Sequence, residues 1–273
     1  MGLAEAIILG IVQGLTEFLP VSSTAHVRIV PAIFGWPDPG APFTAAIQLG
    51  SLVAIVAYFL KDLVRAVSGW LRSFKPGAPQ TPESRLGWAV FIGTIPIVVC
   101  GVLFKDQIET SLRSLYIIAW SLIVVGILMA IAEQVGRRYR KMSDVRASDG
   151  LIVGLFQALA LIPGVSRSGS TITGSLFLGF ERAEAARFSF LLSIPSILAA
   201  GVYSLLQHKE MLTGPEATAV WVANAVSLIS GYLAIAILIK MLQRHGTHIF
   251  VAYRLLLGAG ILIALSQGAL TPL

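Results

Sequence analysis

The sequence has 273 residues, of which 56% are hydrophobic and only 12% are charged. Soluble domains carry about 25% charged residues, and a soluble fold this apolar would leave large hydrophobic patches exposed. The composition therefore excludes a soluble globular domain and predicts an integral membrane protein.

The net charge is +6 at pH 7, but the basic residues lie in short gaps between apolar segments rather than along one stripe. That distribution is typical of membrane topology signals, and it excludes nucleic acid as a partner. The single cysteine, Cys100, excludes a disulfide framework and a thiolate metal site.

The first predicted element is an apolar stretch, residues 3–34, that is interrupted at residues 19–24 by proline and hydroxyl residues. Lipid cannot satisfy backbone groups at such a break, so the break must be buried in protein or line a wet cavity. We interpret this stretch as a re-entrant helix hairpin. Three full spans of roughly 20 residues are predicted after it, at 42–60, 86–104 and 115–133.

The second half of the chain repeats this order. Residues 151–180 form another apolar stretch, broken at residues 163–171, which predicts a second re-entrant hairpin. Three further spans are predicted at 187–206, 219–240 and 249–265.

The two hairpins are related by a constant shift along the chain. Under it, five residues of the first fall on identical residues of the second: Gly10, Gln13, Leu15, Val21 and Ser22 on Gly154, Gln157, Leu159, Val165 and Ser166. We therefore predict an all-α polytopic membrane protein forming one domain, 1–273. Its two copies, 1–135 and 149–273, each contain a hairpin and three spans. An odd number of crossings per copy gives an inverted-topology repeat, with six transmembrane helices and two re-entrant hairpins in total.

Charge asymmetry predicts the orientation. Fourteen Lys and Arg residues fall on the side of the 61–85 and 134–149 loops, and only Lys105, Arg113 and Lys209 fall on the other. The positive-inside rule places the basic loops in the cytoplasm. Both termini and the mouth of the first hairpin then lie outside, the second hairpin enters from the cytoplasm, and their tips meet near the midplane.

Glu17 lies in an apolar helix, where a carboxylate is costly and therefore functional by default. Gln13, four residues earlier, shares its helix face. The alternative is a carboxyl group kept neutral, or one that serves only helix packing.

The residues after Pro20 are Ser22, Ser23, Thr24 and, one turn on, His26. Free amide groups and hydroxyls at a helix start form a phosphate cradle. His26 is within reach of Ser22 or Ser23, which suits a nucleophile beside its base. The alternative is that the Ser and Thr residues are ordinary helix caps and that His26 forms a hydrogen bond between helices.

Arg167 lies among hydroxyl and glycine residues in the second break: Gly164, Ser166, Ser168, Gly169, Ser170 and Thr171. A guanidinium at this depth needs an anionic partner, and its fork matches phosphate oxygens. A structural salt bridge to Glu17 is the alternative. Acid, histidine, hydroxyls and arginine together suit phosphoryl transfer.

Two stretches carry a family resemblance: QGLTEFLPVSSTAH at 13–26 and PGVSRSG at 163–169. They resemble the signatures of the bacitracin-resistance family of undecaprenyl pyrophosphate phosphatases. The resemblance extends over the whole chain, including IQLGS at 47–51 and FSFLL at 188–192.

The resemblance implies hydrolysis of undecaprenyl pyrophosphate to the monophosphate and phosphate, which recycles the lipid carrier of cell-wall synthesis and confers bacitracin resistance. It implies Glu17 as the motif acid, Ser23 as nucleophile, His26 as general base or acid and Arg167 as phosphate clamp. The residues that it implies as phosphate-binding are Gln13, Ser22, Thr24, Ser166, Ser168 and Thr171.

The resemblance also implies a divalent cation, Mg²⁺ or Ca²⁺, held by Glu17, water and the substrate phosphates. Many family members have Glu at the position of Gln13, so a two-carboxylate metal site is in doubt here. The implied partners are the polyprenyl pyrophosphate and membrane lipids of the bacterial cytoplasmic membrane, and a homodimer stays open.

A lipid-phosphate transporter is the main rival, because inverted repeats with broken helices are typical of transporters. The paired serine and histidine favour hydrolysis, since transport needs no nucleophile. An acid-phosphatase-like lipid phosphatase is rejected, because it requires histidine where this chain has Thr173.

Overall fold

The computed structural model describes residues 1–207, 210–214 and 217–271, and those residues are almost entirely helical. Lys209, which enters the charge count above, lies outside them. Its α-helices in chain order are α1 Leu3–Phe18, α2 Ser23–Phe34, α3 Gly40–Tyr58, α4 Leu60–Arg72, α5 Pro82–Leu103, α6 Lys105–Glu109, α7 Leu115–Val135, α8 Ala147–Leu159, α9 Arg167–Phe177, α10 Arg182–Gln207, α11 Glu210–Thr213, α12 Ala217–Leu242 and α13 His248–Ser266.

Five of these helices are long and apolar enough to cross a membrane: α5, α7, α10, α12 and α13. The helices α3 and α4, whose axes meet at 79°, pass the same test only as a bent pair, and they would be the sixth if the pair counts as one span. The prediction of a polytopic helical membrane protein is confirmed at the level of five to six candidate spans.

The 61–85 segment differs from the predicted loop, because residues 61–72 belong to α4, which begins at Leu60. The helix forms because Leu63, Ala66 and Trp70 recur at helical spacing. Ala66 is buried and Trp70 packs on Trp88 of α5.

Both predicted breaks are present, and a serine with positive φ caps the helix after each. Ser22 (φ 76°) accepts a hydrogen bond from the Ala25 amide, and Ser166 (φ 71°) accepts one from the Gly169 amide. The second break ends earlier than predicted, because this cap restarts the helix at Arg167. The hydroxyl residues from Ser168 onward therefore lie on α9 rather than in the loop.

The two broken segments pack against helices of the opposite half of the chain. α1 lies along α12, and α8 lies along α5. Glycine permits both contacts: a Cβ on Gly10 would be 2.6 Å from the Ala223 carbonyl oxygen, and one on Gly154 would be 2.4 Å from that of Gly93.

Polar contacts gather the basic segments at one end of the molecule. Arg85, at the start of α5, donates to the carbonyls of Ser143 and Val145, and Arg187 of α10 pairs with Asp62 of α4. The segments 61–85 and 134–149 therefore lie at a common end, which we call the basic end. At the other end, Asp38 contacts both Arg28 and Arg113.

Candidate active site

The two helix breaks meet inside the protein. Ser168 Oγ donates to the Leu19 carbonyl at 3.2 Å, which joins the start of α9 to the end of α1. The guanidinium of Arg254 donates to the carbonyls of Pro20 in the first break and of Gly164 and Val165 in the second, at 3.0–3.1 Å. One side chain of α13 thus links both breaks.

Arg254 is completely buried, and its remaining hydrogen bonds go to the carbonyls of Ser121 and Leu122 on α7. The carbonyl groups in the two breaks follow the ends of α1 and α8. Carbonyls at helix ends lack a partner within the helix, so they can accept hydrogen bonds from a cation. Arg254 was not among the predicted site residues. The signal available in the sequence was a lone arginine inside an apolar span.

Glu17 is buried at the end of α1, and its Oε2 accepts two hydrogen bonds. Gln13 Nε2 donates at 2.9 Å, and Ser23 Oγ donates at 2.7 Å from across the break. Both contacts suit an ionised carboxylate, which is an acceptor only. The predicted pairing of Gln13 with Glu17 on one helix face is confirmed.

Arg167 lies opposite this carboxylate, with Nη1 3.9 Å from Glu17 Oε1. That separation is too long for a hydrogen bond. Its Nε and Nη1 are buried and have no hydrogen-bond partner among the residues that the structure describes. Because buried donors are normally satisfied, the guanidinium is arranged for an acceptor other than Glu17.

A cavity of about 30 Å³ separates these groups. Its lining includes six predicted site residues, Glu17, Ser22, Ser23, Thr24, Ser166 and Arg167, together with Gln48, Ala160, Ile162 and Gly164. Gln48 was missed as a site residue, although it lies in the family stretch 47–51. The volume suits one or two water molecules.

His26 faces away from Ser23. Its Nδ1 is 2.7 Å from the Ser22 carbonyl oxygen, and its Nε2 is 2.5 Å from the Tyr253 hydroxyl, whose ring stacks on the imidazole. A carbonyl only accepts, so Nδ1 carries a proton. Within the described residues the expected Ser23–His26 hydrogen bond is not formed, because Ser23 donates to Glu17 instead. Tyr253, one residue before Arg254, was also missed.

The remaining hydroxyls on α9 are engaged away from the cavity. Ser170 and Thr171 donate to the Arg167 carbonyl, and Thr171 also contacts Ser189 of α10. Ser168 bonds to Leu19 and contacts Ser166 Oγ at 3.2 Å. Thr171 and Ser168 therefore support the cavity wall rather than line it.

A metal cage is not built into this region: the part of the chain that the structure describes has no group of three or more His, Cys, Asp or Glu residues able to hold an ion. Gln13 Oε1, however, is a buried acceptor without a partner among those residues, and it belongs to the side chain that contacts Glu17. Two protein oxygens beside a wet cavity fit a hard cation that keeps most of its water.

The fold and this site define a class: polytopic helical membrane proteins with an acid, hydroxyls and an arginine gathered between two helix breaks. The family model described as bacitracin resistance protein BacA matches residues 6–260. The chain belongs to that family.

Relatives named undecaprenyl-diphosphatase match along the full chain. One from Chlorobium limicola is 51% identical over 280 residues, covering 99% of both chains. One from Chlorobaculum tepidum is 50% identical over 282 residues, covering 100% of both. One from Myxococcus xanthus is 49% identical over 274 residues, covering 100% of this chain and 92% of the relative.

Proposed function

We propose that this protein hydrolyses undecaprenyl pyrophosphate to undecaprenyl phosphate and inorganic phosphate. The reaction regenerates the lipid carrier of cell-wall synthesis, and it is the route by which the protein confers bacitracin resistance. The observation that carries the proposal is the buried Arg167 guanidinium, whose free donors face the same cavity as Glu17 and Ser23. Phosphoryl transfer depends chiefly on such positioning and charge neutralisation.

Ser23 is the proposed nucleophile. Its oxygen attacks the terminal phosphorus, the bond from that phosphorus to the bridging oxygen breaks, and undecaprenyl phosphate leaves. Water then cleaves the phosphoserine and releases inorganic phosphate. Support for this role is the 2.7 Å hydrogen bond that Ser23 Oγ donates to Glu17 Oε2, which points the serine proton at a carboxylate able to accept it when the oxygen attacks. Arg167 binds the oxygens of the transferred group.

His26 is the proposed general acid or base of the second half of the reaction. Because Nδ1 is bonded to the Ser22 carbonyl, Nε2 is the nitrogen that would exchange a proton, once its hydrogen bond to the Tyr253 hydroxyl opens. The competing route is direct attack by water, in which Ser23 binds phosphate and His26 takes the proton from water.

A divalent cation, Mg²⁺ or Ca²⁺, is proposed as the cofactor. Glu17 and the Gln13 carbonyl would hold it together with water and the substrate phosphates. When bound, such an ion neutralises charge on the phosphate oxygens. Gln13, Ser22, Thr24 and Ser166 are proposed to bind the phosphates with it.

The proposed architecture is the inverted-topology repeat, with six spans and two re-entrant hairpins. Two matching contacts support it: α1 packs on α12, and α8 packs on α5. Here α8 is the second-half equivalent of α1, and α12 is the second-half equivalent of α5. The equivalent serines Ser22 and Ser166 also share a positive φ and a capping role.

The proposed orientation in the bacterial cytoplasmic membrane puts the basic end in the cytoplasm. The first hairpin then enters from the outside, and the cavity opens to the periplasm or exterior, with the lipid tail leaving sideways between helices. Asp38, which follows α2, contacts Arg113 near the start of α7, and this supports a common outer end for those segments.

Phosphate release from the purified protein in detergent tests the proposal. Undecaprenyl pyrophosphate should yield inorganic phosphate, and a chelator should stop its release. A transporter with the same fold would bind the lipid and release no phosphate, and that outcome would overturn the proposed function.

A further inference from the structure

A second, larger cavity lies at the basic end of the molecule. Its volume is about 450 Å³, and it is lined by Gln80, Arg85, Trp88, Arg146, Ala147 and Ser148. We call it the basic cavity. It shares no residue with the cavity at the helix breaks. It lies at the start of α8, whose 13 residues separate it from the second break by about 20 Å.

The walls of the basic cavity carry two guanidinium groups, Arg85 and Arg146, and the nearby Glu83 carboxylate offsets part of the Arg85 charge. Arg85 is fixed there by hydrogen bonds to three backbone carbonyls. The side chains of Arg146 and Ser148 are exposed and line the cavity. The nearby carboxylate of Asp149 is already engaged by Arg140 and by the Arg146 amide. These groups suit an anionic ligand with several oxygens.

The rim of the basic cavity is aromatic. Trp88 contacts Trp70, Phe74 and Phe91, with ring centroids 5.4–5.9 Å apart. Phe74 and Phe91 are about half exposed. Amphipathic aromatic rings concentrate at the level of lipid headgroups, so the cavity and its rim lie where a headgroup meets its acyl chains.

Helix α4 continues this rim along an exposed apolar face formed by Val64, Val67 and Leu71. The helix turns 79° away from α3, and its charged residues Lys61, Arg65 and Arg72 lie on an adjacent face. A helix with this division of faces lies in the plane of the membrane interface. An anion reaching the basic cavity therefore borders lipid-facing surface on one side.

We propose that the basic cavity binds the phosphodiester headgroup of an anionic phospholipid, whose acyl chains lie along α4 and α5. Arg146 and Ser148 contact the phosphate, Arg85 supplies fixed charge, and the aromatic rim receives the glycerol and upper acyl carbons. Basic pockets between spanning helices are known to hold such headgroups. Free phosphate carries the same kind of charge but makes no contact with the apolar rim. The rim therefore favours a phospholipid over free phosphate.

Native mass spectrometry of the detergent-purified full chain, titrated with phosphatidylglycerol, tests this site. Arg146→Gln should weaken binding about tenfold, as expected for loss of a hydrogen bond to a charged group. The matched control is Arg137→Gln, which removes one charge from the same basic segment, where Arg137 is exposed and lines neither cavity. Equal losses in both variants would indicate a diffuse basic surface and overturn the proposal.

Ser148→Asp gives an independent check, because it places a carboxylate in the cavity at a position where acid stabilises a helix start. Binding of phosphatidylglycerol should be lost, while the melting temperature is retained. Unchanged lipid binding would contradict the proposal.

A soluble glycerophosphate competitor should displace the lipid only at a far higher concentration than phosphatidylglycerol itself. Equal potency would exclude the acyl-chain contact. Hydrolysis by Arg146→Gln in lipid-free detergent should equal that of the unmodified chain, which separates this test from that of the catalytic proposal.

Discussion

The carboxylate of Glu17 accepts hydrogen bonds from Gln13 and Ser23 through Oε2, whereas its Oε1 faces Arg167 across 3.9 Å. One oxygen thus holds the proposed nucleophile, and the other leaves room for a ligand beside the arginine. Glu17 and Arg167 therefore form a long ion pair between the two broken segments, without a hydrogen bond between them.

Glu17→Gln and Arg167→Ala should each lower phosphate release by at least about a hundredfold, because each removes charge stabilisation inside a buried site. Neither should prevent folding, since neither side chain closes a hydrogen-bonded ion pair with the other. Phosphate release by the monodisperse purified variants measures the effect. Substantial turnover in either variant would mean that the pair is structural.

Ser23→Ala and His26→Ala separate the two routes of hydrolysis. If the serine oxygen attacks phosphorus, both variants should lose most activity, and rapid quenching should trap a phosphoserine at position 23. If water attacks directly, Ser23→Ala should be mild and His26→Ala severe. Phosphate release and mass spectrometry of quenched protein distinguish these outcomes, and a mild Ser23→Ala effect would refute the covalent route.

At the scale of elements, the two broken segments depend on one another. Each is interrupted by a break, a serine with positive φ caps the helix that follows the break, and each break leaves carbonyl groups that the hydrocarbon cannot solvate. Arg254 on α13 satisfies carbonyls of both breaks. The relative position of the two broken segments is therefore set in part by a third element, α13.

Arg254→Gln should lower the thermal stability of the protein, because glutamine is too short to reach carbonyls on both breaks. A loss of about 3 kcal/mol is expected from the unsatisfied buried groups, which corresponds to a fall in melting temperature of roughly 5–10 °C. Thermal denaturation followed by circular dichroism in detergent measures it. Arg244→Gln is the control, since Arg244 is exposed at the end of α12. Equal melting temperatures for the two variants would contradict this role.

At the scale of the whole molecule, the basic segments lie at one end, because Arg85 bonds the 134–149 segment and Arg187 pairs with Asp62 of α4. The positive-inside rule is the basis for proposing that this end is cytoplasmic. The proposed sidedness of the cavity at the helix breaks rests on the same rule.

Single cysteines placed in a Cys100→Ala background test the orientation. Positions in the 105–113 segment should react with an impermeant thiol reagent on whole cells, and positions in 134–149 should react only after the cells are opened. Mass-tagging of the protein measures the labelling. The reverse pattern would overturn the orientation and the outward-facing cavity with it.

The membrane class, the approximate position of both breaks and the principal polar residues could be predicted from the sequence alone. These follow from local properties: apolar runs of spanning length, proline and serine at the breaks, and charges such as Glu17 and Arg167 that are costly in hydrocarbon. Helix α4 was missed because a short amphipathic helix resembles a polar loop when hydropathy is averaged along the chain.

Which of these residues contact one another could not be predicted from the sequence, because it depends on how the helices pack. Helical spacing allowed His26 to pair with Ser23, yet Tyr253 and the Ser22 carbonyl take both imidazole nitrogens, and Glu17 takes the serine hydroxyl. The sequence did not indicate the partners of Arg254, because these partners are backbone carbonyls, and every residue has one. Contacts between residues distant in the chain depend on how the helices pack, and local spacing carries no information about that packing.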